Sequence, residues 1–295
     1  MPEPIRGCGQ RETRQTPMSQ SDVVSQFQIA VPRRGSLVGW ERGGQSAPQG
    51  VAMVHGLGDH AVRYQHVGAE LASRGIASQA LDLPGHGKSY GERGHVRSWE
   101  EYRAAMTAWM DRAKAATPAR RWTILGQSMG AFVALDWALR NPERVERLIL
   151  CAPPFQLAIR PNMIKVRAAQ VLVRFWPGFS QGNMILPSML SHDQDIIRAH
   201  MSDPLVHYRI SARLFLEFQA IRTSLARRAA ELRTTTLLLH GQEDPVADAR
   251  GSRVWAASAP ASRVTVRIYP NLLHEVLNEV GRGEIIASMI DWLEA

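Results

Sequence analysis

Trp122-Thr-Ile-Leu-Gly126-Gln-Ser128-Met-Gly130-Ala131 carries a short apolar run into a serine flanked by small residues, and then into a helical pattern. The spacing is G-x-S-x-G, and its place between a strand and a helix is the context in which the motif is informative. A serine at so sharp a turn adopts a strained backbone, and only small neighbours let the helix approach the strand closely. Gly126, Gly130, Ala131 and Ala134 supply them. The turn lifts the Ser128 hydroxyl clear of the sheet and sets it at a helix N-terminus, whose amides favour developing negative charge.

Outward from this elbow, short apolar runs alternate with helical patterns, the signature of a parallel sheet wrapped by helices. The runs are Val51–His55, Ile76–Leu81, Trp122–Leu125, Leu148–Cys151, Thr236–His240 and Val264–Tyr269. Ser25–Val31 and Leu37–Glu41 alternate in the manner of antiparallel edge strands, with Arg33-Arg34-Gly35 as their turn. Helices are expected at Tyr64–Ser73, Trp99–Ala115, Met129–Arg140, Ser252–Ala257 and Glu284–Leu293. An α/β fold follows, with an eight-stranded, mostly parallel sheet.

The alternation lapses after Ala152 and resumes at Thr236, so a helical lid is expected to interrupt the core. The predicted division is a leader over 1–21, core over 22–152, lid over 153–232 and core again over 233–295. In the lid, Ile164, Ala168, Val171, Leu172 and Phe175 recur at helical spacing, and a second amphipathic stretch covers Ala212–Ala226. Helices laid over the carboxyl ends of the strands would cover the side on which such sheets bind ligands. Ile164, Val171, Leu172 and Phe175 are accordingly candidates for an acyl-chain wall, with Trp176 and Phe179 just beyond. Membrane contact beside Arg167 and Arg174, or plain packing on the core, are alternative uses of the same stripe.

Serine is a weak nucleophile at neutral pH, so it needs a base within hydrogen-bond reach and an acid that orients the base. In such folds the chain order is Ser, acid, His, each on a loop after a strand. His274 follows the last predicted strand and is the candidate base. His240 follows its strand too closely and reads as a hydrogen-bonded strand-end residue. The acid belongs to Gly241-Gln-Glu243-Asp244-Pro245-Val-Ala-Asp248. Asp244 is preferred, because proline after it holds an extended, turn-initiating conformation; Glu243 and Asp248 are the alternatives. Two N–H donors should receive the oxyanion: Met129, directly after the serine, and Leu57 in the glycine-rich loop His55-Gly56-Leu57-Gly58-Asp59-His60. His55, Asp59 and His60 lack further ligands at zinc-like spacing, so no metal is expected, and the chemistry needs no cofactor.

The 295 residues include 45% hydrophobic and 21% charged side chains, enough for one large core and unlike a disordered chain. The net charge of +8 is almost all arginine, since lysine occurs only at Lys88, Lys114 and Lys165, and the charges are scattered among Asp and Glu. Neither a basic run nor a nucleic-acid module is visible, so nucleic acid is not an expected partner. Two cysteines, Cys8 and Cys151, fit a reducing compartment, and the N-terminus lacks the apolar core of a secretory signal. The expectation is a cytoplasmic protein, with transient membrane contact through the lid left open.

Longer motifs add a family resemblance. His55-Gly-x-Gly-Asp-His60-x-x-Arg63-Tyr64, Asp82-Leu-Pro-Gly-His-Gly-Lys-Ser89 with Gly91-Glu-Arg93-Gly94, and Gly126-Gln-Ser-Met-Gly130 resemble the monoacylglycerol lipase and lysophospholipase group of α/β-hydrolases. Ser202-Asp-Pro-Leu205, His240-Gly-x-Glu-Asp244-Pro and Tyr269-Pro-x-x-x-His274-Glu275 continue the match, which runs from about Phe27 to the C-terminus and is weakest in the lid. The resemblance implies the α/β-hydrolase fold, a small lipid ester as substrate, the triad Ser128, Asp244 and His274, and oxyanion donors Leu57 and Met129. It also implies that Asp59 and Arg63 organise the loop beneath the oxyanion hole. Gln127 departs from the histidine that often precedes the nucleophile. General carboxylesterases and serine aminopeptidases share these motifs, and a hydrolase fold that binds a ligand without turnover is the non-enzymatic alternative.

Overall fold

Successive side chains along a strand point to opposite faces, and here they feed two separate cores. Ala52 and Val54, Ile124, Leu148 and Leu150, and Leu238 join Trp109, Phe132 and Trp137 on one face. Val51 and Met53, Leu125, Ile149 and Cys151, and Leu237 and Leu239 join Leu71, Ile286 and Met289 on the other. Strands buried on both faces are apolar almost throughout, which is why the sequence shows runs rather than alternation. The computed structural model describes residues 23–44, 46–159 and 163–295; the expected leader 1–21, with Cys8, lies outside them.

In chain order come β1 (Val24–Val31), β2 (Gly35–Arg42), β3 (Gln49–Val54), α1 (Gln65–Ser73), β4 (Ala77–Leu81), α2 (Glu100–Ala116), β5 (Arg121–Gln127), α3 (Met129–Arg140) and β6 (Arg147–Cys151). After an interval described below come β9 (Thr235–Gly241), α7 (Ala249–Ser258), β10 (Val264–Tyr269) and α8 (Arg282–Glu294). These strands form one eight-stranded sheet in the order β1-β2-β4-β3-β5-β6-β9-β10. Only β2 pairs antiparallel, with β1 and β4; the other pairs are parallel. The carboxyl ends of β3, β5, β9 and β10 therefore lie along one edge, and the loops after them share one surface.

Strand ends depart from the apolar runs by at most two residues, because ladder pairing rather than hydrophobicity sets them: β5, β6 and β9 reach past their runs, β3 starts two residues earlier and stops one short, β4 starts one later, and β10 coincides with its run. α1 is preceded by a tighter turn over Ala61–Tyr64, and α7 starts at Ala249 because the Asp248 carboxylate accepts the Arg250 amide as its N-cap.

Between β6 and β9 lie α4 (Met163–Leu172), β7 (Ser180–Gly182), α5 (Gln194–Ser202), β8 (Arg209–Ser211) and α6 (Ala212–Arg227), with β7 and β8 forming a separate antiparallel pair. α6 packs on α3 through Phe218 and Phe132, stacked with centroids 5.7 Å apart. The segment before β8 is hydrogen-bonded to the loop after β3: the His207 amide donates to the Gly58 carbonyl at 2.9 Å, and His60 pairs with Asp203 at 2.8 Å. Gly58 has φ +79°, and a Cβ there would lie 2.1 Å from the His207 carbonyl oxygen, so glycine is required on both counts. Among the described residues no helix is long and apolar enough to cross a membrane.

Candidate active site

At the junction of β5 and α3, Ser128 has φ +54° and ψ −119°, a conformation that costs a non-glycine residue about 1–3 kcal/mol. Its surroundings hold it there. The Ser128 amide donates to the Cys151 carbonyl at 2.9 Å, and the Ser128 carbonyl accepts from Ala131 at 2.9 Å. A Cβ on Gly126 would lie 2.4 Å from the Gly130 carbonyl oxygen, and one on Gly130 would lie 2.3 Å from that of His55. The motif's two glycines thus let helix, elbow and β3 loop meet. Gln127 and Met129 are buried, whereas Ser128 is half-exposed, into the cavity described below.

His274 and Asp244 come from neighbouring loops after β10 and β9, and both are buried. His274 Nδ1 lies 2.6 Å from Asp244 Oδ2, which leaves Nε2 as the basic nitrogen. Asp244 Oδ1 accepts the amides of Val246 and Ala247 at 2.8 and 2.9 Å. Burial alone would raise the Asp244 pKa, but the imidazoles of His274 and His240 overcome it and hold the carboxyl well below the usual range. Burial alone would lower His274; the Asp244 carboxylate outweighs it and the pKa is raised. Of the other carboxylates in the loop, Glu243 is exposed. Asp248 caps α7 and accepts from Gln156 at 2.9 Å.

The amides of Leu57 and Met129 donate to no group among the described residues. Met129 stands in the first turn of α3, where helical amides lack intrahelical acceptors. Leu57, Ser128 and Met129 together line a cavity of about 490 Å³. Its other walls are largely apolar: Pro154, Leu157 and Ile159 after β6, Ala168, Ala169 and Leu172 of α4, Phe179, Met184 and Ile185, and Phe215 and Phe218 of α6.

A smaller chamber adjoins it and shares Leu57, Ser128, Asn183 and Ile185. Polar groups line this one: Asp59, Gln127, His200, His207, Tyr208, His274 and Glu275. Arg63 bridges two of them, 3.0 Å from Asp59 and 2.8 Å from Glu275. Burial would raise Asp59, but Arg63 beside it brings its pKa down to about 2. Burial lowers His200 and takes His207 down to about 4, so both rings are neutral at neutral pH. Gln127, in place of the histidine frequent in the group the motifs resemble, donates from Nε2 to the His274 carbonyl at 3.0 Å.

The structure brings Ser128, His274, Leu57 and Met129 to these two connected spaces and bonds Asp244 to His274. It does not bring the lid stripe to the cavity as a unit. Leu172 lines it, with Ala168, whereas Ile164, Val171 and Phe175 are 77%, 61% and 83% exposed. α4 ends at Leu172, so Phe175 lies past the helix and out of its phase. His55, Asp59 and His60 are taken by hydrogen bonds to Gly56 and Leu83, to Arg63 and to Asp203, and among the described residues no group of His, Cys, Asp and Glu could hold a metal.

Three features were absent from the sequence reading. The α6 wall was signalled by Phe215 and Phe218, three apart in the amphipathic stretch. The Arg63–Glu275 bridge had no local signal, and at His240 a hydrogen bond was expected but not Asp244 as its partner.

The family model described as serine aminopeptidase, S33, matches residues 45–281. A monoacylglycerol lipase of Mycolicibacterium smegmatis is 29% identical over 248 residues, 83% of this chain and 88% of that protein. The phospholipase YtpA of Bacillus subtilis is 28% identical over 238 residues, 80% and 91% of the two chains. Among solved structures, a monoacylglycerol lipase of Paleococcus ferrophilus superposes with a TM-score of 0.77 at 26% identity, covering 92% of this chain and 98% of its own. A soluble variant of the monoglyceride lipase of Saccharomyces cerevisiae reaches 0.80 at 18% identity, over 94% and 97%, a likeness of fold.

Proposed function

We propose that this chain, which belongs to the serine aminopeptidase S33 family of α/β-hydrolases, hydrolyses carboxylic esters of single-chain lipids, as a monoacylglycerol lipase or lysophospholipase does. Ser128 Oγ attacks the acyl carbonyl while His274 Nε2 takes its proton, and Asp244 holds Nδ1–H and stabilises the imidazolium. The oxyanion is received by the Leu57 and Met129 amides. His274 then returns the proton to the departing alcohol, and water repeats the sequence on the acyl-enzyme.

The observation that carries this reading is the position of Ser128 on the shared wall of a large apolar cavity and a small chamber in which several polar side chains converge. An acyl chain in the cavity gains about 0.8 kcal/mol for each methylene buried, and the alcohol half faces the chamber. There, two carboxylates, Asp59 and Glu275, share one arginine while the His200 and His207 rings stay neutral. Such a site favours an uncharged glycerol over a phosphodiester head group. It gives no free carboxylate to a peptide's amino terminus, which disfavours an aminopeptidase. The outward face of the lid, with Ile164, Val171, Phe175 and Trp176 exposed beside Arg167 and Arg174, supports contact with a membrane surface at which such substrates reside.

A panel of monoacylglycerols, lysophospholipids, p-nitrophenyl esters and amino-acyl amides tests the proposal. Monoacylglycerols should give the highest kcat/KM; preference for an amide, or no turnover of any ester, would overturn it.

A further inference from the structure

Asp244 carries a second imidazole that the reaction above does not use. His240, near the end of β9, is fully buried, and its Nε2 lies 3.0 Å from Asp244 Oδ2, the same oxygen that takes His274 Nδ1 at 2.6 Å. That Nε2 is also 2.9 Å from the Ala247 carbonyl oxygen. A carboxylate and a carbonyl can only accept, so Nε2 bears a hydrogen. Nδ1 lies 2.8 Å from Ser252 Oγ on α7, a hydroxyl that can serve as its hydrogen-bond partner. Asp244 thus receives two amides on Oδ1 and two imidazoles on Oδ2.

We infer that His240 is a positioning residue for the hydrolysis proposed above: its Nε2–H fixes the plane of the Asp244 carboxylate and draws charge from the oxygen facing His274, so that it limits the basicity of the catalytic imidazole. The physical basis is that each donor on a carboxylate oxygen weakens its pull on the next. Without the His240 donor, more negative potential falls on His274 Nδ1–H, the imidazolium is better stabilised, and the base stays protonated to higher pH.

The other charged groups around the pair are committed elsewhere. Asp248, at the start of α7, is paired with Arg250; Arg267, on β10, bonds Ser288; Glu275, beside His274, is bridged to Arg63. The Cys151 thiol on β6 is kept neutral by burial.

The test compares His240→Leu, His240→Gln and Ser252→Ala with wild type in the full chain. It uses the pH profile on a short p-nitrophenyl ester and the NMR titration of the His274 ring. The titration needs no turnover, so it separates failure of this inference from failure of the proposed reaction. His240→Leu should move the midpoint upward by about half to one pH unit. Gln places an amide N–H near the lost Nε2–H and should restore most of the shift. Ser252→Ala, which only weakens polarisation of the ring, should move it less in the same direction, and it serves in place of His240→Leu should that variant not fold. A folded His240→Leu whose His274 midpoint is unmoved, or a Gln variant that shifts as far as Leu, would overturn the inference and leave His240 a packing residue.

Discussion

The floor and the roof of the cavity are built on different physical terms. On the floor, backbone geometry decides each position: Ser128 is held at φ +54°, and neither Gly126 nor Gly130 has room for a Cβ. On the roof, α4 sends Ala168 and Leu172 to the cavity and leaves Ile164 and Val171 in solvent. Steric constraints place the candidate reacting groups, whereas apolar side chains of loosely defined shape would, under the proposed function, receive the substrate's chain. Changes to the floor should therefore act on chemistry for every substrate, and changes to the roof on the choice among them.

The contrast breaks first at Ser128. Ser128→Ala should lower kcat by about 10⁴-fold or more on all esters, abolish labelling by a fluorophosphonate, and leave the circular dichroism melt in place. Labelling equal to wild type would mean that the nucleophile lies elsewhere.

Next comes the acid. Asp244→Asn should cost on the order of 10³–10⁴ in kcat, because an amide no longer holds the required His274 tautomer. Asp248→Asn should keep most activity, since Asp248 caps α7 and has no contact with His274. Steady-state kinetics on one soluble ester distinguishes them, and the reverse order would move the acid to Asp248.

A smaller effect follows from pH. The pKa of His274 is raised above 6.5, because Asp244 outweighs the burial that would lower it. A base must be neutral to take the serine's proton. Activity should therefore be lost as pH falls, with a kcat/KM midpoint above that of an ordinary histidine, and a midpoint at or below 6.5 would show the Asp244 contact to be weaker than the geometry indicates.

The roof gives the smallest changes and sharpens the comparison. Leu172→Ser should reduce kcat/KM on long-chain monoacylglycerols by roughly tenfold, about 1–2 kcal/mol, with short esters spared. Phe175→Ser should leave soluble esters unaffected and weaken only sedimentation with anionic vesicles. Equal losses from the two variants on long chains would mean that both faces of the lid meet the substrate.

How much of this was legible in the sequence differs between the same two regions. The sheet and the elbow could be read because their causes are local: a strand covered on both faces must be apolar, and a serine at a strand–helix turn must have small neighbours. The loops carrying Leu57, Asp244 and His274 were found for the same reason, each following its strand directly. In the lid, periodicity grouped Ile164, Ala168, Val171, Leu172 and Phe175 but could not say what their face would meet. The β7–β8 pair went unrecognised, at three residues a strand being too short for a clear period; α5, as long as α1, was passed over although its Asp193 N-cap and amphipathic pattern were local signals.

The sequence by itself determined which residues are the candidates for the chemistry and along which edge of a parallel sheet they would stand. Tertiary structure alone decided that Asp244 receives two imidazoles, that Arg63, already beside Asp59, meets Glu275 across 212 positions of chain, and that one face of α4 and not the other closes the cavity. Local pattern reports the conformation a segment prefers. The partner a side chain meets depends on how distant segments pack, and only the folded chain brings those together.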